Sequence, residues 1–256
     1  MRVVNSAAAL RGFPRAVLLR VLLRSLLIQG SWNYRSLIGG GFAYAMLPVL
    51  RFLYRDRPAE LQAAVARHSE LFNSHPYLSP LALGAVSVLE DVERPEVVAR
   101  FKSAVRGSLG TLGDRLVWAG WRPVCALFAL LLVALNVPWW VAVFLFLLIY
   151  NAGHFALRWW SFSFGLTHGK HVGEELRKKP VQKVQHWLDF AGALLVGALL
   201  PLMIARPAFP GWGGTLWELA LIVGAILGMR FGGRVRTPVA LVLSLATIIA
   251  LLVSAL

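Results

Sequence analysis

The sequence predicts an all-α integral membrane protein: N-terminal amphipathic, cytoplasmic helices, a bent hydrophobic hairpin, and about three C-terminal transmembrane helices. Three observations carry this. Hydrophobic residues make up 58% of the 256-residue chain and charged residues 15%, more apolar surface than a soluble domain of this size can hide. From Val124 onward, apolar runs approach the roughly 20 residues a helix needs to cross about 30 Å of hydrocarbon. Lys and Arg outnumber Asp and Glu by 26 to 12, an excess that suits either nucleic acid or an anionic membrane surface, and the apolar runs select the membrane. The single cysteine, Cys125, excludes an intrachain disulfide and a thiol metal cluster and reads as a small buried hydrophobe.

The opening segment is basic: eight arginines precede the first acid, Asp56. A transit peptide has the same composition, but a secretory signal fits less well, because charge interrupts the apolar stretch at every turn. Between Pro14 and Leu27, Arg15, Arg20 and Arg24 alternate with leucines and valines at helical spacing, which suits a helix lying in the headgroup plane. Leu61 to Phe72 has the periodicity of an amphipathic helix ending near Asn73. Pro76 and Pro80 interrupt regular structure; Leu81 to Leu89 follows as a short apolar helix closed by Glu90 and Asp91, and Pro95 starts a polar helix running to Arg106.

Val124 to Leu157 runs for 34 residues without a formal charge, too long for one upright crossing, and Pro138 near its middle predicts a break or kink. Three further spans are expected at Trp187 to Ala205, Gly214 to Met229 and Thr237 to Leu256. Lys170, Arg177, Lys178, Lys179 and Lys183 in one loop, and Arg230, Arg234 and Arg236 in another, place both loops in the cytoplasm. With a basic N-terminal third also inside, Val124 to Leu157 must enter and return. The expected division is an amphipathic and interfacial region over 1–123, a bent hairpin over 124–169, a basic loop over 170–186 and transmembrane helices over 187–256. Gly224, Gly228 and Gly232 form a small-residue stripe suited to helix packing in lipid.

Candidate functional residues fall in separate segments. Gln29, Ser31, Trp32 and Asn33 bring polar groups and a flat aromatic face that suit a pyranose or a partner's backbone, against the plainer alternative of a helix cap with an interfacial Trp. Asn73 and His75 form a second polar turn, where an ordinary turn histidine is the simpler reading. Glu90, beside Asp91, suits sugar hydroxyls or a basic patch on a partner, or is a solvated helix end. Gly107, Gly110 and Gly113 allow the backbone to turn or to approach another segment closely, but they lack the context of a phosphate-binding loop. Asp114, Trp118 and Arg122 then sit at the membrane boundary, with the acid and the arginine either neutralising each other or lining a solute path. Asn151, His154 and Arg158 share one face of the hairpin's second arm. His168 and His171 near Glu174 and Glu175 have metal-compatible spacing, but a flexible basic loop explains them better, and no metal or cofactor is expected. No convincing set of nucleophile and base stands out for a membrane enzyme working alone.

Taken in order, Gly30-Ser31-Trp32-Asn33, Asn73-Ser74-His75-Pro76, the Glu90-Asp91 pair and Gly113-Asp114, followed by the aromatic Trp159-Trp160 and Phe164-Gly165, resemble the IID component of mannose-family phosphotransferase systems. The resemblance covers Arg24 to Gly169; beyond that only the pattern of spans matches. It implies a non-catalytic subunit of the bacterial inner membrane, with no phosphorylated residue of its own. It also implies a IIC membrane partner, IIA and IIB phosphocarriers on the cytoplasmic face, and a mannose-type hexose as the solute. The segment Gly107 to Arg115 departs from the family at Ser108, Gly110, Thr111 and Leu112, and Arg115 adds a charge beside Asp114. A transport-inactive scaffold or regulatory subunit is the alternative that those departures raise.

Overall fold

The computed structural model describes residues 12–204, and within them the chain is helical, with two isolated β-bridges in place of any strand. The expected spans Gly214 to Met229 and Thr237 to Leu256, and the glycine stripe at 224–232, lie outside the described residues.

Helix α1 (Arg15–Arg24) continues as one 3-10 turn over Ser25–Leu27. Helix α2 (Gly39–Leu53) was not foreseen, because three consecutive glycines and the internal Pro48 read as breakers. Packing overrides that propensity. A Cβ on Gly39 would lie 2.2 Å from the Glu70 carbonyl, and one on Gly41 would lie 1.8 Å from the Ile28 carbonyl. The glycines are therefore where α2 touches its neighbours. Helix α3 (Pro58–Ser69) and helix α4 (Ser79–Val92) follow, each started by a proline in its first turn, where the missing N–H has no partner to lose.

Helix α5 (Pro95–Gly113) does not turn at its glycines but runs on through a π-helical segment, Asp114–Trp121, into α6 (Arg122–Ala134). The three form one continuous 40-residue helix. Its end explains the hairpin. Asn136 takes a left-handed conformation (φ 61°), the Val137 N–H returns to the Leu132 carbonyl at 3.0 Å, and the Asn136 N–H returns to that of Val133 at 3.0 Å. This is a Schellman closure with asparagine where glycine is commoner. Pro138 thus kinks nothing; it stands as N-cap to helix α7 (Trp139–His168). Helices α8 (Val172–Arg177) and α9 (Val181–Ile204) complete the described chain.

Among the described residues, two helices, Pro95–Ala134 and Trp139–Arg177, are apolar and long enough to cross a bilayer, and their apolar windows lie mostly unburied by the protein itself. On α7, Trp139 and Trp140 are 71% and 61% exposed and Trp159 and Trp160 are 63% and 37% exposed. The two pairs are about 20 residues apart, which at about 1.5 Å per residue is about 30 Å, the thickness of the hydrocarbon core. Paired tryptophans at both ends of such a length match the aromatic belts that flank a membrane span.

The core lies on the other side. Helix α4 is buried along its whole length, from Ser79 to Glu90, and packs most extensively on the last turns of α7, Ser161 to Leu166. Two glycines permit this approach: a Cβ on Gly84 would lie 2.3 Å from the Phe162 carbonyl, and one on Gly165 would lie 2.1 Å from the Leu81 carbonyl. At the end of α4, an ionic cluster centred on the buried Glu90 and His68 ties α2, α3, α4 and α5 together. Glu90 accepts hydrogen bonds from Tyr54 Oη (3.0 Å), Arg67 Nη2 and His68 Nε2 (3.1 Å). Lys102 Nζ donates to the carbonyls of Arg67 (3.1 Å) and His68 (2.7 Å), closing the negative end of α3.

Burial pushes the Glu90 pKa up, but the three donors outweigh it and hold the carboxyl below its ordinary range. Burial holds His68 below 6.5, with Lys102 and Arg67 adding to that against the pull of Glu90. A neutral His68 protonated at Nε2 leaves Nδ1 as a bare lone pair, consistent with its having no partner. Both shifts depress the folded-state pKa, so the stability they confer is complete above about pH 6.5 and declines as the pH falls through the folded values. The melting temperature of the protein in mild detergent is therefore expected to fall steadily from pH 7 to about pH 4; a flat profile across that window would contradict the cluster's ionisation.

Candidate functional site

The segments singled out in the sequence converge in space. The loop after α1 is stitched to the turn after α3: Leu37 bridges to both Asn33 and Phe72, the Ile38 N–H donates to the Phe72 carbonyl (3.1 Å), and the Phe72 N–H donates to that of Ser36 (3.2 Å). Asn33 organises the loop, its Oδ1 accepting from the Arg35 and Ser36 N–H groups at 3.0 and 2.9 Å while its Nδ2 donates to the Ser31 carbonyl at 3.1 Å. Its polar groups are therefore spent within the loop rather than offered to a sugar. Gln29, Ser31 and Trp32 are exposed, and Trp32 meets Tyr34 edge to face at 4.8 Å.

The second turn joins the third segment. His75, 2% exposed, lies 5.0 Å from the Trp118 ring and 5.1 Å from the Tyr77 ring. Gly113 makes room for it, since a Cβ there would fall 2.1 Å from His75 Cβ. This is the close approach that the glycine run allowed. The π-helical widening over Asp114–Trp121 sits at this contact, in keeping with the tendency of π segments to mark functional places. Trp121 lies against Gly153, and its Nε1 donates to the Tyr150 carbonyl at 3.3 Å.

Helix α7 supplies the rest. Tyr77 stacks on His154 at 3.9 Å, its hydroxyl is 2.7 Å from that of Tyr150, and the Arg158 guanidinium lies 5.3 Å over its ring. Arg158, 4% exposed, donates through Nε to His154 Nε2 (2.6 Å) and through Nη1 to the Ser25 carbonyl (2.9 Å) and Oγ (3.1 Å). His154 must therefore be unprotonated at Nε2. His75 Nδ1 accepts from the Tyr77 N–H at 3.2 Å, so the ring hydrogen sits on Nε2, which is buried with no protein partner; the Ser74 hydroxyl is likewise buried and unpaired. Burial, with Arg158 and His154 nearby, lowers the His75 pKa to about 4, so the ring is neutral at physiological pH.

This cluster brings together the candidates His75, Trp118, His154 and Arg158 from separate segments and adds Tyr77 and Tyr150, which the sequence analysis does not single out. The stripe on α7 is Tyr150, His154 and Arg158, at a strict spacing of four; Asn151 instead turns back to the Leu147 carbonyl (2.7 Å). Arg122 does not pair with Asp114 but stacks over Trp118 at 4.9 Å, and Asp114 is exposed and makes no ion pair among the described residues. Asn73 is exposed. Glu90 is a correction: with its carboxylate enclosed by Tyr54, Arg67 and His68, it belongs to the core and is open neither to a sugar nor to a partner. Among the described residues no three or more His, Cys, Asp or Glu side chains gather as a metal set; His171 and Glu174 meet only as a pair at 4.0 Å.

What the cluster offers is chemically definite. Two histidines, two tyrosines and a tryptophan face lie together against α7, with Arg158 over Tyr77, Arg122 over Trp118 and no acid among them. Its groups left without a partner among the described residues are the His75 Nε2–H and the Ser74 hydroxyl.

Solved structures share this architecture. The chain superposes on a cryo-EM structure of the mannose transporter ManYZ in complex with microcin E492 with a TM-score of 0.57 at 28% identity, over 73% of this chain and 70% of that one. A second structure, described only as a membrane protein, gives a TM-score of 0.64 at 27% identity with the same coverage. Fold and neighbours define a helical membrane transport protein. Within that class, the sequence model of the mannose/fructose/sorbose-family phosphotransferase IID component matches residues 14–208, and the chain belongs to that family. Relatives include the mannose-specific IID component of Escherichia coli K12, 28% identical over 201 residues (73% of this chain, 70% of the relative). The sorbose-specific component of Klebsiella pneumoniae is also 28% identical, over 77% of this chain and 76% of its own length. The fructose permease IID component of Bacillus subtilis is 25% identical, over 73% and 72%.

Proposed function

We propose that this IID chain pairs with a IIC membrane component in the bacterial inner membrane to translocate a mannose-type hexose, which a IIB protein phosphorylates on the cytoplasmic face. The observation that carries the reading is the family match across residues 14–208, within which the His75 turn meets Gly113 and Trp118 at a polar cluster completed by Tyr150, His154 and Arg158 of α7. The chain's part is to seat IIC and to line the path with His75, Tyr77, Trp118, Tyr150 and His154, while its basic loops help dock IIB. It contributes no phosphorylated residue.

The scaffold alternative rested on the altered segment at 107–115. Ser108 and Thr111 lie on the exposed side of α5, and a Cβ on Gly107 would meet nothing within 4 Å, whereas the tightly packed Gly113 is retained. Two of the departures, Ser108 and Thr111, thus fall where packing demands little, while Gly110 and Leu112 are half-buried.

The test is phosphoenolpyruvate-dependent mannose uptake by cells expressing the chain with its IIC, IIA and IIB partners. Tyr77→Ala combined with His154→Ala is expected to abolish uptake while sparing assembly with IIC; normal uptake by that variant removes the cluster from the path.

A further inference from the structure

Helix α1 has two faces, and only one of them is explained by the fold. Val21 is fully buried, and Val17, Leu18 and Leu22 pack partly against the core. On the other side Leu19, Leu23, Leu26 and Leu27 are 41–61% exposed, interleaved with the exposed Arg15 and Arg20. Leucines spaced through an acid-free basic helix are the pattern of a helix lying flat in the headgroup layer.

The structure also sets its height. Arg158 holds the end of this helix, donating to both the carbonyl and the hydroxyl of Ser25, and the next residue is Trp159, which begins the second aromatic belt of α7. That belt marks one boundary of the hydrocarbon. The C-terminal end of α1 is therefore fixed at the membrane–water boundary, where its leucines meet the acyl region and its arginines meet phosphate. Among the described residues Arg158 has no acidic partner and instead caps the negative end of the helix it holds.

We propose that the outer face of α1 is an anionic-lipid-binding surface, positioned by Arg158, whose ligands are the phosphodiester headgroups of acidic phospholipids. The inference is independent of sugar transport. Lys and Arg near an anionic leaflet are each drawn to it by about 1 kcal/mol, so Arg15 and Arg20 each favour acidic over neutral lipid by about fivefold.

The test uses the full chain with Cys125→Ala and a nitroxide at Leu19→Cys or Leu23→Cys, reconstituted in vesicles of phosphatidylcholine alone or of phosphatidylcholine with phosphatidylglycerol. Power saturation against oxygen and a water-soluble nickel complex reads the depth of each label. Both labels are expected at or below the phosphate plane with phosphatidylglycerol present and shallower without it. Arg15→Gln with Arg20→Gln should lower phosphatidylglycerol enrichment, counted by native mass spectrometry, by about fivefold per arginine. Arg158→Gln should mobilise the labels while the protein still melts cooperatively. Should that variant fail to fold, the lipid series on the otherwise unaltered chain decides alone. Labels equally open to nickel in both vesicles, or shielded from nickel and oxygen alike by a protein partner, would overturn the proposal.

Discussion

Gly165→Leu is expected to leave almost no folded protein. The α4–α7 crossing brings the two backbones together through Gly165 and Gly84, and a Cβ on Gly165 would sit 2.1 Å from the Leu81 carbonyl and 2.9 Å from the Ala85 nitrogen. Backbone atoms inside a buried helix pair cannot move aside as a side-chain end can, so the cost exceeds ordinary overpacking, at about 3 kcal/mol or more. Gly84→Leu, facing the Phe162 carbonyl at 2.3 Å, should behave alike. Gly173→Leu is the control, because a Cβ there meets nothing within 4 Å. Yield of monodisperse protein in mild detergent measures all three. Equal yields for Gly165→Leu and Gly173→Leu would mean that the helices do not cross at this point.

Glu90→Ala should be nearly as damaging. It leaves Arg67 and His68 without their acceptor and the Tyr54 hydroxyl without its partner. Removing one member of a buried charge pair costs about 3–5 kcal/mol, because the remaining charge stays desolvated. The neighbouring Asp91 is exposed, so Asp91→Ala should change stability by no more than about 0.5 kcal/mol. Thermal melting of the two variants against the unaltered protein separates them. A similar loss for both would assign Glu90 to the surface after all.

How far the sequence disclosed these features depends on the kind of signal. The pair of long apolar helices was legible because charge is absent over 34 residues and Pro138 marks the bend, although the bend is a Schellman closure before the proline rather than a kink at it. Helix α2 was not legible, because its glycines and Pro48 argue locally against a helix and only the carbonyls of Glu70 and Ile28 reveal what the glycines serve. Residues whose partners lie near in sequence read well: His154 and Arg158, four apart, are hydrogen-bonded. Residues whose partners lie far away did not. Glu90 passed for an exposed acid because its donors come from 22 to 36 positions upstream. Tyr77 lay inside a recognised motif, but its stacking on His154 is a contact between a turn and a helix some 77 residues later, which no local period encodes. Tyr150 carried a usable signal, the spacing of four to His154.

We propose that this family member works as the membrane partner of a IIC component. The measurement that bears on it most directly is purification of the tagged protein from its native membranes in mild detergent, followed by mass spectrometry of what remains bound. A IIC-type membrane protein recovered in fixed ratio with the chain is the predicted result. Recovery of the chain alone, or only with unrelated proteins, would contradict the permease reading and favour a transport-inactive scaffold.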